Sequence, residues 1–259
     1  MRVTTLGDLL LDVIVRVDRP LEPGDDRAAE TRVGAGGQAA NVAAWAAALG
    51  ADARFVGKRG ADTAGSLAFD ELHGHGVDVV GPAEGRTGVV VSIAAAGDRT
   101  MASDRGVSPE LRPEELSAGW FACDVLHVSG YSLLREPIAH AALRAAELAR
   151  AEGARVSVDV ASWTLADDAF RARLRELAPD VLFAGERERQ AVGALGATWV
   201  VKRGADGIVV DGEPFPAAAT EVVDPTGAGD ALAAGYLLGG PRLGLEAAAR
   251  CCAKLGAMP

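Results

Sequence analysis

The stretch Asp224-Pro225-Thr226-Gly227-Ala228-Gly229-Asp230-Ala231-Leu232-Ala233-Ala234-Gly235-Tyr236-Leu237-Leu238 governs how the rest of the chain is read. Its second half is a run of small and apolar residues, the pattern of a buried helix. Its first half puts two glycines and an acid into that helix's opening turns. Unpaired N–H groups and the positive end of the helix dipole make such a terminus attract anions. The glycines clear away side chains that would keep a phosphate from those amides. An acid in the same place repels what the amides gather. It makes chemical sense if Asp230 takes a proton from an attacking hydroxyl while the amides hold the charge growing on a transferring phosphoryl group. Alone, the stretch reads better as a glycine turn with an aspartate cap, so the remaining sequence has to decide.

The chain has 259 residues, of which 49% are hydrophobic and 24% charged. That describes a soluble globular protein, best read as a single α/β domain over residues 1–259 with a small inserted piece. No apolar run approaches the roughly 20 residues needed to cross a bilayer, and the first residues lack a signal peptide's layout. The three cysteines, Cys123, Cys251 and Cys252, are odd in number with two adjacent. They offer neither a disulfide framework nor a spaced metal pair, which favours a reducing cytoplasm. A net charge of −10 argues against nucleic acid as a partner. Any phosphorylated ligand must then be held by helix ends, a divalent cation or single basic residues.

Residues 2–17 alternate well enough for one or two strands broken at Gly7-Asp8, and 27–33 suit another. Gly34-Ala35-Gly36-Gly37 opens a helix that Gly50 stops. Arg54–Gly57 reads as a short buried strand, and Asp62 caps a helix reaching Leu72. Residues 87–95 and 99–102 predict a hairpin turning at Ala96-Gly97-Asp98. From Asp124 onward, apolar strands at 125–128, 156–160, 181–183 and 198–201 alternate with helices at 136–151, 166–177 and 186–193. Such alternation implies a mostly parallel sheet covered on both faces. Residues 206–217 predict a second hairpin and 245–255 a last helix. The β-rich sections, about 11–35 and 82–105, are candidates for a small β lid.

Ligands of a parallel α/β sheet sit at the carboxyl ends of its strands. Four loops fall there: Gly7-Asp8, 34–37, Lys202–Gly207 and 224–230. The 34–41 loop lacks the third glycine and distal acid of a dinucleotide fingerprint. It reads instead as Gly36 and Gly37 bringing backbone to a polar substrate, with Asn41 one helical turn in. A structural amide at Asn41 is an equal reading. Asp12, in the apolar run 9–14, suits a sugar's paired hydroxyls, but taken alone it reads better as an Asp on the outside of a lid strand. The basic turn at Lys202-Arg203-Gly204-Ala205-Asp206-Gly207 suits polyphosphate or a solvated hairpin. Glu188 answers to a helix dipole or orders a magnesium ion through water. His73 and His75 read as a polar helix end and His127 as a satisfied core histidine. Arg105 hints at an anionic substrate, but reads more simply as a solvated side chain.

Together these pieces resemble the ribokinase-like (PfkB-type) carbohydrate kinases over nearly the whole chain. Residues 224–231 resemble that family's C-terminal signature, and Gly36-Gly37 with Asn41 and Ala43 its N-terminal one. The 57–62 and 86–88 segments sit where the family has similar short motifs. The resemblance implies a Rossmann-like three-layer sandwich with a β lid, and transfer of the γ-phosphoryl group of ATP, with Mg2+, to a hydroxyl of a sugar-like substrate. It makes Asp230 the base and the amides of Gly227, Ala228 and Gly229 the anion hole. Asp12, Gly36, Gly37 and Asn41 would hold the substrate, and Lys202, Gly204, Ala205, Gly207 and Thr226 the nucleotide. Glu188 would serve the metal. A monovalent cation near 224–226 and a homodimer formed through the lid are further implications. Three departures stand out: Gly185 replaces a common Asn, Lys202 replaces a common Thr, and the chain stops at Gly256–Pro259 where relatives usually continue. A nucleoside kinase of the same fold, or a non-catalytic sugar or nucleotide binder, is the alternative.

Overall fold

The computed structural model describes residues 1–24, 26–95, 98–160 and 162–259, with the side chains of 98 and 99 set aside. The expected turn at 96–98 therefore lies largely outside the described residues. The first strands are β1 (Arg2–Leu6), β2 (Leu10–Val17) and β3 (Glu30–Gly36), followed by α1 (Gln38–Ala48), β4 (Asp52–Val56) and α2 (Thr63–Gly74). Then come β5 (Asp78–Val80), β6 (Thr87–Ala95), β7 (Asp98–Gly106) and β8 (Val125–Ser129). Next are α3 (Ile138–Ala151), β9 (Arg155–Asp159), α4 (Asp168–Leu177), β10 (Val181–Gly185) and α5 (Glu186–Val192). The series ends with β11 (Thr198–Lys202), β12 (Ile208–Val210), β13 (Glu213–Phe215) and α6 (Ala228–Cys252).

Nine strands form the central sheet in the order β13-β12-β11-β10-β9-β8-β1-β4-β5. The pairings from β5 across to β11 are parallel, and only those of β12 and β13 are antiparallel. Alternate side chains feed two cores. Phe55 and Phe183 pack with Trp45 of α1 and Leu232 of α6, while Val56 and Leu182 pack with Ala142 of α3 and Phe170 of α4. Strands buried on both faces need near-continuous apolar sequence, which Val-Leu-Phe-Ala at 181–184 supplies. Each large side chain so buried contributes roughly 1.5–3 kcal/mol.

A second sheet, β3-β2-β6-β7, stands apart. Its strands β2 and β6 run parallel, and β3 and β7 flank them antiparallel. The lid strands run longer than the residue pattern suggests, β7 extending to Gly106. Strand β5 was not anticipated, because three residues carry no period. The separate helix expected at 245–255 is the second half of α6, which bends at Gly239, Gly240 and Pro241, the residues least able to continue a regular turn.

Candidate active site

The loop before α6 is held from below. The carboxylate of Asp224 accepts from the Thr226 amide at 2.9 Å, the Thr226 hydroxyl at 2.6 Å and the Gly256 amide at 3.0 Å. Gly227 caps α6 in the left-handed region, φ 79°. A side chain there would also meet Ala257, whose Cβ lies 2.5 Å from the position a Cβ would take. The carbonyl of Ala257 in turn accepts the indole N–H of buried Trp45 at 2.8 Å. The C-terminal segment and α1 thus fix the terminus of α6 from opposite sides. Of the three amides expected to face an anion, that of Ala228 is engaged in the turn, donating to the Pro225 carbonyl at 3.2 Å.

Two cavities meet at this loop. One, of about 520 Å³, is lined by Lys202, Gly204, Ala205, Gly207, the segment 217–220 and one flank of α6. The other, of about 340 Å³, lies between the lid and the main sheet, and Asp8, Asp12, Gly37, Asn41, Arg105 and Asp230 line it. Pro225 and Gly229 belong to the walls of both.

Asp230 looks into the lid-side cavity, half-buried, and accepts a 2.7 Å hydrogen bond from Nδ2 of Asn41. Burial, and next the nearby charge of Asp159, push its carboxyl up from 3.8 to about 7; the Asn41 bond and Lys202 pull the other way. A carboxylate near neutrality is suited to taking a proton at physiological pH. The Asn41 amide oxygen is buried and has no protein partner among the described residues, which leaves an acceptor for a ligand. Asp159, at the end of β9, is 1% exposed and pairs through both oxygens with Nζ of Lys202 at 2.7 Å. Burial raises the Asp159 carboxyl and Lys202 opposes the rise. Lys202 itself lies 3.3 Å from where a Cβ on Gly229 would be, at the seam of the two cavities.

The residues singled out from sequence fall as follows. Asp12, Gly37, Asn41, Gly227, Gly229 and Asp230 line the lid-side cavity. Gly36 lines neither, but its missing side chain makes room for the Asp12 carboxylate, 2.0 Å from its would-be Cβ. Lys202, Gly204, Ala205, Gly207 and Ala228 line the larger cavity, whereas Thr226, grouped with them from sequence, faces the lid side. Glu188 lines neither, folding back over Gly185 with Oε2 2.4 Å from that residue's would-be Cβ.

Two readings change. Arg105 is not a solvated arginine: its guanidinium donates two hydrogen bonds to the Asp8 carboxylate, at 2.6 and 2.8 Å, with its side chain only 19% exposed. His127 is only half satisfied, with Nδ1 3.0 Å from the Ser157 hydroxyl and Nε2 lacking a partner among the described residues. Burial lowers His127 to about 3, so the ring is neutral. Asp159 was missed because it closes an apolar strand, Val156-Ser157-Val158-Asp159, where an acid at the strand's carboxyl end was the available signal. Buried Lys58, 2% exposed and paired with both Glu84 and Glu115, was also missed.

A magnesium ion keeps several waters and needs one or two carboxylates besides phosphate oxygens. No group of three acidic, His or Cys ligands occurs among the described residues. Glu188 lines neither cavity but is close enough to Asp159 to raise its carboxyl.

Residues 1–258 match the model of the pfkB family carbohydrate kinases. An ATP-dependent ribose-1-phosphate kinase of Halopiger xanaduensis is 33% identical over 257 residues, spanning 92% of this chain and 84% of that protein. An aminoimidazole riboside kinase of Salmonella typhimurium is 32% identical, spanning 78% and 72%. The crystal structure of adenosine kinase from Sinorhizobium meliloti superposes with a TM-score of 0.88 at 25% identity, covering 99% of this chain and 95% of that one.

Proposed function

The chain belongs to the pfkB family of carbohydrate kinases and is an ATP-dependent sugar kinase, and from that premise we propose how its own residues carry the reaction. The larger cavity takes the nucleotide along Lys202, Gly204, Ala205 and Gly207, and the lid-side cavity takes the alcohol between Asp12, Gly37 and Asn41. Phosphoryl transfer crosses the seam over Gly229. The acceptor hydroxyl donates to Asp230, which takes its proton as the oxygen attacks the γ-phosphorus and ADP leaves. The observation that carries this reading is the 2.7 Å bond from Asn41 to Asp230. It aims the carboxylate into a cavity that shares only its Gly229 and Pro225 walls with the other.

Lys202, whose charge is balanced by Asp159, offers a remaining ammonium donor at the seam, with the amides of Gly227 and Gly229 beside it. Magnesium, placed by Glu188 and the phosphates, would neutralise charge on the phosphate oxygens. By family likeness the reading extends to a monovalent cation beside 224–226. It extends also to a homodimer through the lid, which exposed Val33 on edge strand β3 supports. The three free cysteines suit a cytoplasmic setting. No helix among the described residues is long and apolar enough to cross a membrane.

A riboside acceptor is a second reading, favoured by Tyr131, an aromatic residue among those lining the lid-side cavity. The test of the function is ADP release from Mg-ATP across hexoses, pentoses, sugar acids and ribosides. Turnover on at least one class is expected. ATP binding without turnover on any class would favour a non-catalytic binder.

A further inference from the structure

The lid-side cavity has one cation among its described lining residues, Arg105, and three acids, Asp8, Asp12 and Asp230. That arginine is already occupied. Both of its fork nitrogens reach Asp8, and the Asp8 side chain is 8% exposed, so the pair is largely withdrawn from water. A guanidinium matched to a carboxylate in this two-point geometry has its charge answered and its best donors used. The backbone of Asp8 is fixed under the start of α1, where a Cβ on Gly37 would come 2.2 Å from the Asp8 carbonyl oxygen. The pair also spans two sheets, since Asp8 follows β1 of the main sheet and Arg105 is the penultimate residue of β7 in the lid. Besides the carboxylates of Asp12 and Asp230, what faces a ligand is neutral and hydrogen-bonding: Asn41, Ser103, Tyr131, and Gln38 bonded to Ser129.

We propose that Asp8 is a specificity-determining residue which, by holding Arg105, tunes the cavity to uncharged polyhydroxylated acceptors and against sugar phosphates and sugar acids. An acceptor bearing a phosphate or carboxylate would meet Asp12, Asp230 and the engaged pair with no free cation to receive it. Like charges brought together across an interface are strongly disfavoured. This rests on the kinase reading and narrows its substrate class. It sets this chain apart from the relative named for ribose 1-phosphate, despite the shared fold.

The experiment compares matched acceptors: ribose and a riboside against ribose 1-phosphate, and a hexose against its aldonic acid. Wild-type kcat/KM is expected to favour the neutral member by on the order of 100-fold. Asp8→Asn releases Arg105 and should narrow that ratio about tenfold or more, through a gain on the anionic member. Wild-type preference for an anionic acceptor overturns the proposal, as does an unchanged ratio in a folded Asp8→Asn. If that variant does not fold, the paired change Asp8→Asn with Arg105→Gln, which removes both charges together, decides. An unchanged ratio supports the proposal, and a selective loss of anionic turnover would show that Arg105 receives anions and overturns it. Calorimetric titration of the same pairs into the wild-type protein with ADP reads the charge preference without chemistry. An inert protein that still prefers neutral ligands therefore refutes the kinase reading and sustains this one, and an inert protein that prefers the anionic ligands refutes both.

Discussion

Replacing Asp230 by Asn should make the protein more stable while disarming it, and the gain should depend on pH in a defined direction. The Asp230 carboxyl sits at about 7 in the folded chain against an ordinary 3.8. Between those values the native state holds a proton that the unfolded chain has released. Stability contributed by this group is therefore greatest below 3.8 and falls as pH rises toward 7. At about 1.4 kcal/mol per pH unit, the loss above neutrality has a ceiling of about 4 kcal/mol. The carboxylate is half-buried and opens on a cavity that water can enter, so about 2 kcal/mol is the expected size. Asparagine escapes this penalty and can still accept the hydrogen bond from Asn41. Urea unfolding of both proteins without ligands, at pH values from 4.5 to 8.5, reads the difference. The variant should show little advantage at the acid end, a growing one through pH 7, and a plateau above. A difference that does not change with pH, or a variant less stable at pH 8, would refute the reasoning.

Other expectations follow from the same geometry. Wild-type kcat/KM should fall about tenfold per pH unit on the acid side of neutrality, as the base is protonated, and a flat profile from pH 5 to 8 would remove Asp230 from that role. Lys202→Met leaves buried Asp159 without its partner, so a loss of about 3 kcal/mol in chemical denaturation is expected, with a raised KM for ATP. Gly229→Ala crowds the ammonium of Lys202, 3.3 Å away and held by Asp159, so a modest loss in urea unfolding of about 1 kcal/mol is expected while kcat collapses because a methyl group stands at the seam. Gly227→Ala differs in kind. Its φ of 79° and contact with Ala257 predict a loss of roughly 2–4 kcal/mol in urea unfolding.

Much of the fold could be read from the residues. Apolar strands at 125–128, 156–160 and 181–183 between amphipathic helices leave a covered parallel sheet as the arrangement that buries them all. The features that escaped are those without a period: β5 is three residues long, and the bend inside α6 depends on Gly239 and Gly240 adopting non-helical angles ahead of Pro241. In the site, a glycine-rich helix start with an acid was visible because its chemistry is local. The pairings were not. Asp159 with Lys202 joins residues 43 apart, and Asp8 with Arg105 joins residues 97 apart. A single sequence shows an acid and a base but not that the fold brings them within 3 Å. The same limit explains why Arg105 read as solvated and why Thr226 was grouped with the nucleotide. Its neighbour Pro225 borders both cavities, and one residue decides the side.

The most direct test of Asp230 as the base is turnover by Asp230→Asn with Mg-ATP and the best acceptor of the wild-type enzyme, alongside ATP affinity measured on the same sample. The account predicts a fall in kcat of roughly 1000-fold with nucleotide affinity retained. A variant that keeps its rate within tenfold of wild type would contradict it.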